Sequence, residues 1–260
     1  AVKAISDAFS TTDSALLKHE LAYCLGQMRL PSAILGLQVV LADTKEDPMV
    51  RHEAGEALGA IADPSSLPVL RRFADPQFEE EVAVRETCEI AIDNIENDRG
   101  IGWPCQFHPN DIKFDSVDPA PPMDERLAVA ELESILLNSE LQMYKRYRAM
   151  FSLRNRATPE AVMALCRGLH DKSALFRHEI AYVLGQLQSP LAIESLQACL
   201  AIADEAPMVR HECAEALGSI ADDRCLPILS TYLHDPMQVV RESCQVALDI
   251  CEFERSAEMQ

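Results

Sequence analysis

Residues 49–63 read MVRHEAGEALGAIAD, and residues 208–222 read MVRHECAEALGSIAD, in agreement at 12 of 15 positions. A looser pair lies upstream of each: DSALLKHELAYCLGQM at 13–28 and KSALFRHEIAYVLGQL at 172–187. A His-Glu dipeptide therefore recurs four times, at His19-Glu20, His52-Glu53, His178-Glu179 and His211-Glu212. The spacing within each half is 33 residues (52 − 19 and 211 − 178), and the halves are offset by 159 (178 − 19 and 211 − 52). The chain holds only seven His in 260 residues, so four of them in one register of a repeat are not a product of composition.

The surrounding pattern is helical. Between 174 and 187, Phe176, Ile180, Val183, Leu184 and Leu187 recur at steps of three and four, which gives one buried stripe. Pro48 and Pro207 stand where a first-turn proline is tolerated, and Asp63-Pro64, Asp75-Pro76 and Asp235-Pro236 mark turns. A period of 31–34 residues with two helices per unit is the mark of an α-solenoid. Seven helical pairs are expected, near 1–28, 32–62, 65–97, 124–155, 159–187, 190–221 and 225–253. The stretch 98–123 carries five Pro and the single Trp without a helical period, and reads as a linker. The expected organisation is an all-α chain of two duplicated halves facing each other, 1–97 and 124–260, joined by 98–123. Arg85-Glu86 and Arg241-Glu242 stand in the third unit of each half, where Glu takes the place of His. The second half also has a leading pair, 124–155, with Tyr147 at the His register. The first half has no counterpart, so the symmetry calls for one more helical pair ahead of Ala1.

Apolar residues make up 48% of the chain and aromatics only 5%, a core composition that suits packed helices. The net charge of −19 argues against nucleic acid and suits a cationic partner or plain solubility. Nine Cys with no CxxC pair read as reduced thiols in a cytosolic protein. No apolar run approaches the length of a membrane span, and no signal peptide is visible.

In stacked pairs, equivalent helices of neighbouring repeats lie about 8–10 Å apart, and residues of one register share a face. His19 and His52 would then meet in one groove, and His178 and His211 in another. Metal–nitrogen bonds of about 2 Å let two such imidazoles share an ion. Two His plus a carboxylate is the set that suits non-haem iron, and two such sets suggest a dinuclear centre. Small residues at i+3 (Ala22, Gly55, Ala181, Ala214) and i+7 (Gly26, Gly59, Gly185, Gly218) keep that face open or let a neighbour approach, and the glycines also suit close helix packing or a helix end. An HExxH zinc site is excluded, since positions 23, 56, 182 and 215 hold Tyr, Glu, Tyr and Glu. His108, His170 and His234 read as linker, helix-end or surface residues. The bland alternative is a polar seam in which His and Glu hydrogen-bond between repeats.

The four His-Glu units, MVRHE twice, YRAMFSLRN at 147–155 and SVDPAPP at 116–122 together resemble the deoxyhypusine hydroxylase family over essentially the whole chain. The resemblance implies a HEAT-repeat di-iron monooxygenase that uses O2 to hydroxylate the deoxyhypusine side chain of eukaryotic translation initiation factor 5A. It implies that His19, His52 and Glu53 hold one iron and that His178, His211 and Glu212 hold the other. It assigns Glu20 and Glu179 to substrate binding and catalysis at the cationic side chain. A cytoplasmic monomer with no nucleic-acid or membrane partner is the accompanying expectation. A non-catalytic scaffold for a basic protein, or a lyase or chaperone for a chromophore, are the readings of other classes.

Overall fold

The computed structural model of the chain describes residues 1–98 and 114–258. Residues 99–113, which include Trp103 and His108 of the expected linker, lie outside the described residues. Among the described residues all regular structure is helical, so the all-α expectation holds. The helices are α1 (Val2–Ala8), α2 (Ala15–Met28), α3 (Ile34–Ala42), α4 (Pro48–Ile61), α5 (Leu67–Ala74), α6 (Val82–Asp98), α7 (Val129–Leu136), α8 (Met143–Arg156), α9 (Pro159–Gly168), α10 (Ala174–Leu187), α11 (Ile193–Leu200), α12 (Pro207–Ile220), α13 (Cys225–Thr231) and α14 (Gln238–Glu258). They form two compact units, 1–121 and 122–260.

The helix ends follow from local chemistry. The side chains of Ser14, Asp47, Thr158 and Ser173 each accept a hydrogen bond from a backbone N–H in the first turn of α2, α4, α9 and α10. Pro48, Pro159 and Pro207 open α4, α9 and α12, where no intrahelical N–H is needed. Each of α2, α4, α8, α10 and α12 stops at a residue with positive φ: Arg29 (50°), Ala62 (58°), Ala157 (52°), Gln188 (49°) and Ala221 (55°). None of these is glycine, although left-handed backbone costs such residues about 1–2 kcal/mol.

The glycines of the repeat sit three residues earlier, and close packing explains them. The second helix of each pair packs on the second helix of the next: α2 on α4 and α4 on α6 in the first unit, α10 on α12 and α12 on α14 in the second. A Cβ at Gly26 would lie 2.9 Å from Ala57 Cα, one at Gly59 2.8 Å from Ala91 Cβ, one at Gly185 3.0 Å from Ala216 Cα, and one at Gly218 2.7 Å from Ala247 Cα. At these four steps the seam is thus Gly against Ala. The small residues let a neighbour approach; they do not hold a face open. Larger apolar side chains fill the space beside it. Leu25, Leu37, Leu41, Leu58, Leu70 and Ile95 are buried in the first unit, and Phe151, Phe176, Leu184, Leu196 and Leu217 in the second.

A row of buried and half-buried ion pairs fixes the stagger between repeats. The residue just before each His is a cation: Lys18, Arg51, Arg177 and Arg210. Each pairs with a carboxylate in the inter-helix turn of the following repeat. Lys18 Nζ is 2.7 Å from Glu46 Oε2 and Arg177 Nε 2.9 Å from Glu205 Oε2. Arg210 donates to both oxygens of Asp235 at 3.1 and 2.6 Å, and Arg51 to both oxygens of Glu79. Arg146, before Tyr147, pairs with Asp171 in the same way. Arg51, Arg146 and Arg210 also donate through Nε to the C-terminal carbonyls of Leu41, Leu136 and Leu200. Each of these arginines therefore ties the first helix of its own repeat to the turn of the next.

Two measurements check this account. Gly218→Ala places a methyl against the Ala247 backbone and should destabilise the fold by about 1–3 kcal/mol in urea titrations, although alanine is the better helix former by about 1 kcal/mol. A neutral or stabilising effect would contradict the tight seam. Arg210→Ala leaves Asp235 buried without its cation and should cost about 3–5 kcal/mol; a change below about 1 kcal/mol, the size of a surface pair, would count against the ladder.

Candidate metal centre

The seam brings the His-Glu units together within each half. In the second unit, α10 contributes His178 and α12 contributes His211 and Glu212, all buried. His178 Nε2 lies 3.3 Å from His211 Nε2, and the rings are 5.3 Å apart between centroids. Glu212 Oε2 is 3.5 Å from His178 Nε2 and 3.7 Å from His211 Nε2. Two imidazole nitrogens and one carboxylate oxygen thus form a nearly equilateral triangle. Three atoms on such edges are each about 2 Å from a common centre, the length of a bond from a transition metal to nitrogen or oxygen. The donor set itself, two imidazoles and a carboxylate, is that of a non-haem iron or related site.

In the first unit α2 contributes His19, and α4 contributes His52 and Glu53. His19 Nε2 is 3.2 Å from Glu53 Oε2, the counterpart of the His178–Glu212 contact. The rings of His19 and His52 are 5.6 Å apart between centroids. The group of three within ligand reach in this unit is His52, Glu53 and Glu56, each offering a ligand atom within 4.8 Å of the others, and His19 meets it through Glu53. Burial pulls the His19 imidazole toward its neutral form, but the carboxylates of Glu53 and Glu20 outweigh it and hold its pKa well above the ordinary value. A divalent cation binding here would displace that proton. Burial, with help from Glu53 and Asp118, pushes the Glu56 carboxyl well above the usual range, against the pull of His19.

The remaining two glutamates are placed differently. Glu20 Oε1 is 3.0 Å from Nδ1 of His19, and Glu179 Oε1 is 3.8 Å from Nδ1 of His178. Each therefore stands behind its own imidazole, on the nitrogen turned away from the donor group. The Glu20 side chain is 43% exposed and the Glu179 side chain 4% exposed. The His-Glu register thus yields two geometric kinds of carboxylate, one inside each donor group and one behind it.

Three residues near the site carry no metal-site motif in the sequence. Glu56 and Glu215 stand where HExxH would need a second His, yet His211 Nδ1 is 3.5 Å from Glu215 Oε1. Their signal was the i+4 spacing on a helix, which puts them on the face of the His. Asp118 lies in the SVDPAPP stretch, which folds back onto the first unit. There the Val117 N–H donates to Gln27 Oε1 at 2.8 Å, and Ala120 is buried. No periodicity could have indicated that. Among the other histidines, His170 and His234 follow the ends of α9 and α13 and are in none of the donor groups found among the described residues. Among the described residues no helix is long and apolar enough to cross a membrane.

The chain matches the family of HEAT repeats over residues 2–87 and 129–206, and that of the PBS lyase HEAT-like repeat over 209–235. It is 54% identical over 261 residues to a deoxyhypusine hydroxylase of Danio rerio, covering 100% of this chain and 84% of that protein. It is 53% identical over 263 residues to the deoxyhypusine hydroxylase of Homo sapiens, covering 100% of this chain and 83% of the other. The solved structure of human deoxyhypusine hydroxylase in complex with glycerol aligns with a TM-score of 0.90 at 52% identity, over 97% of this chain and 84% of that one.

Cobalt(II), whose absorption spectrum reports its ligands, tests the triangle directly. The intact chain should bind it, and His211→Ala should weaken binding at the second unit by more than about 100-fold, beyond what losing an outer-shell partner costs. Equal stoichiometry and affinity in the variant would remove His211 from the site.

Proposed function

Because the chain belongs to the deoxyhypusine hydroxylase family, within the HEAT repeats, we propose that it is an iron-dependent monooxygenase acting on the deoxyhypusine side chain of translation initiation factor 5A in the cytoplasm, as a monomer. His19, His52 and Glu53 hold one iron and His178, His211 and Glu212 the other. Bound iron would supply O2 activation for insertion into an unactivated C–H bond, chemistry that no side chain provides. The observation that supports this most directly is the triangle of His178, His211 and Glu212, with edges of 3.3, 3.5 and 3.7 Å.

The protein's own contribution is to bind and orient the substrate. The side chain to be hydroxylated is a lysine extended by an aminobutyl group, whose amines are cationic near neutral pH. Glu20 and Glu179 hold those amines by charge-assisted hydrogen bonds. A carboxylate has room for more than one donor, so contact with the imidazole behind it does not prevent this. The half-exposed Glu20 side chain is reachable from solvent, which supports its assignment. Holding the amines fixes which carbon faces the oxidant, the positioning on which selective oxidation depends. The net charge of −19 steers a basic partner toward the chain.

The iron-loaded chain should add one oxygen atom to a deoxyhypusine-containing factor, read by mass spectrometry. Glu20→Ala and Glu179→Ala should lose partner affinity by about 2–5 kcal/mol, a factor of about thirty or more, while their iron affinity falls by no more than the roughly 10–100-fold of a group behind a ligand. Glu53→Ala and Glu212→Ala should lose iron first. Equal iron loss in all four variants would make every glutamate a ligand and leave the amines without the assigned anchor.

A further inference from the structure

Each imidazole has two nitrogens, and only one can face a metal. His211 turns Nε2 toward the donor triangle, 3.3 Å from His178 Nε2 and 3.7 Å from Glu212 Oε2. Its other nitrogen, Nδ1, lies 3.5 Å from Oε1 of Glu215, one turn further along α12. Glu215 is not a corner of the triangle, which is made by His178, His211 and Glu212 alone. Its side chain is 20% exposed, whereas the His211 ring is fully buried. In the earlier unit of each half the same place is filled from another position. Residue i+4 there is a tyrosine, Tyr23 or Tyr182. The carboxylate at Nδ1 comes instead from the next residue, Glu20 at 3.0 Å from His19 and Glu179 at 3.8 Å from His178.

Two sequence solutions thus lead to one arrangement. Across His19, His178 and His211, Nε2 faces the donor group and Nδ1 faces a carboxylate. For His211 the residue after it, Glu212, is drawn into the triangle, so a second glutamate is required behind the ring. A neutral imidazole that offers the Nε2 lone pair must carry its proton on Nδ1. A carboxylate at Nδ1 favours that tautomer, fixes the ring plane and raises the basicity of Nε2. The 3.5 Å contact is an ion-pair distance, longer than the roughly 2.7–3.2 Å of an N–H···O hydrogen bond.

We infer that Glu215 is a positioning residue, which holds His211 as the Nδ1–H tautomer and so presents Nε2 to a metal ion. The inference rests on the metal-site reading above, and its test separates the two. Nitrogen-15 NMR of the histidine rings in the metal-free chain, at a pH of about 8.5 where ordinary imidazoles are neutral, reads the tautomer of His211 without any metal. The His211 signals are identified by their loss in His211→Ala. The wild-type chain should show the Nδ1–H form. Glu215→Ala should shift His211 to a mixture or to the Nε2–H form, and should weaken cobalt(II) binding by about 10–100-fold. Glu215→Gln keeps a carbonyl oxygen able to accept from Nδ1–H, and should retain the tautomer and most of the affinity. An unchanged tautomer in Glu215→Ala would overturn the inference. So would a loss of metal in Glu215→Gln as deep as in His211→Ala, because Glu215 would then be a ligand. If the wild-type chain bound no cobalt, the metal-site reading would fall, while the tautomer would still decide what Glu215 does to His211.

Discussion

The distance between successive second helices governs this molecule. Imidazoles on neighbouring helices can share an ion only if the backbones come close, and the Gly-against-Ala seam sets that approach. Gly26 on Ala57 brings α2 to α4 in the first unit, and Gly185 on Ala216 brings α10 to α12 in the second. A single methyl at any of these glycines would meet a neighbouring helix at 3.0 Å or less. Glycine inside a helix costs about 1 kcal/mol relative to alanine. The repeat accepts that cost at each step of the seam, two turns beyond each His, where it decides how near the ring can come to its partner.

Distance alone does not align the rings; stagger along the helix axis must be right as well. The cations just before each His, buried at Arg51 and Arg210 and half-buried at Lys18 and Arg177, supply that constraint. Arg210 holds Asp235 of the following turn and the Leu200 carbonyl behind it, so α12 cannot slide without breaking a desolvated pair. Arg51 does the same for α4 through Glu79 and Leu41. Because His52 and His211 directly follow these arginines, the ladder that orders the repeats also orders the donor atoms. Packing and chemistry meet in three consecutive residues: a cation for stagger, an imidazole, and a carboxylate.

The duplicated sequence does not give duplicated surroundings. Both units place the earlier His against the later Glu, His19 with Glu53 and His178 with Glu212. In the first unit, however, Glu56 crowds into the donor group and Asp118 raises its proton affinity further, while in the second Glu215 lies behind His211. The first unit also carries the 116–121 stretch, which folds onto it through Gln27 and lines a small cavity with Glu56 and Gly59 at Pro119.

The sequence by itself determined the repeat, the helical pairs and the four His-Glu units, because these depend on local periodicity and on residues recurring at a fixed interval. It also placed the in-register glycines, though not their use: close packing and a helix end looked alike until the positive-φ positions proved to be Arg29, Ala62, Gln188 and Ala221. Only the tertiary structure divided the four glutamates by position. All four follow a His in the same local context, so no local rule separates Glu53 from Glu20. The neighbouring helix does, because Glu53 and Glu212 reach across the seam to the other repeat's imidazole, whereas Glu20 and Glu179 fold back on their own. The reach of Glu215 to His211 was written as an i+4 spacing, but its meaning depended on which nitrogen the ring turns outward. That orientation is set by contacts between helices 33 residues apart in register, and no single stretch of the chain contains it.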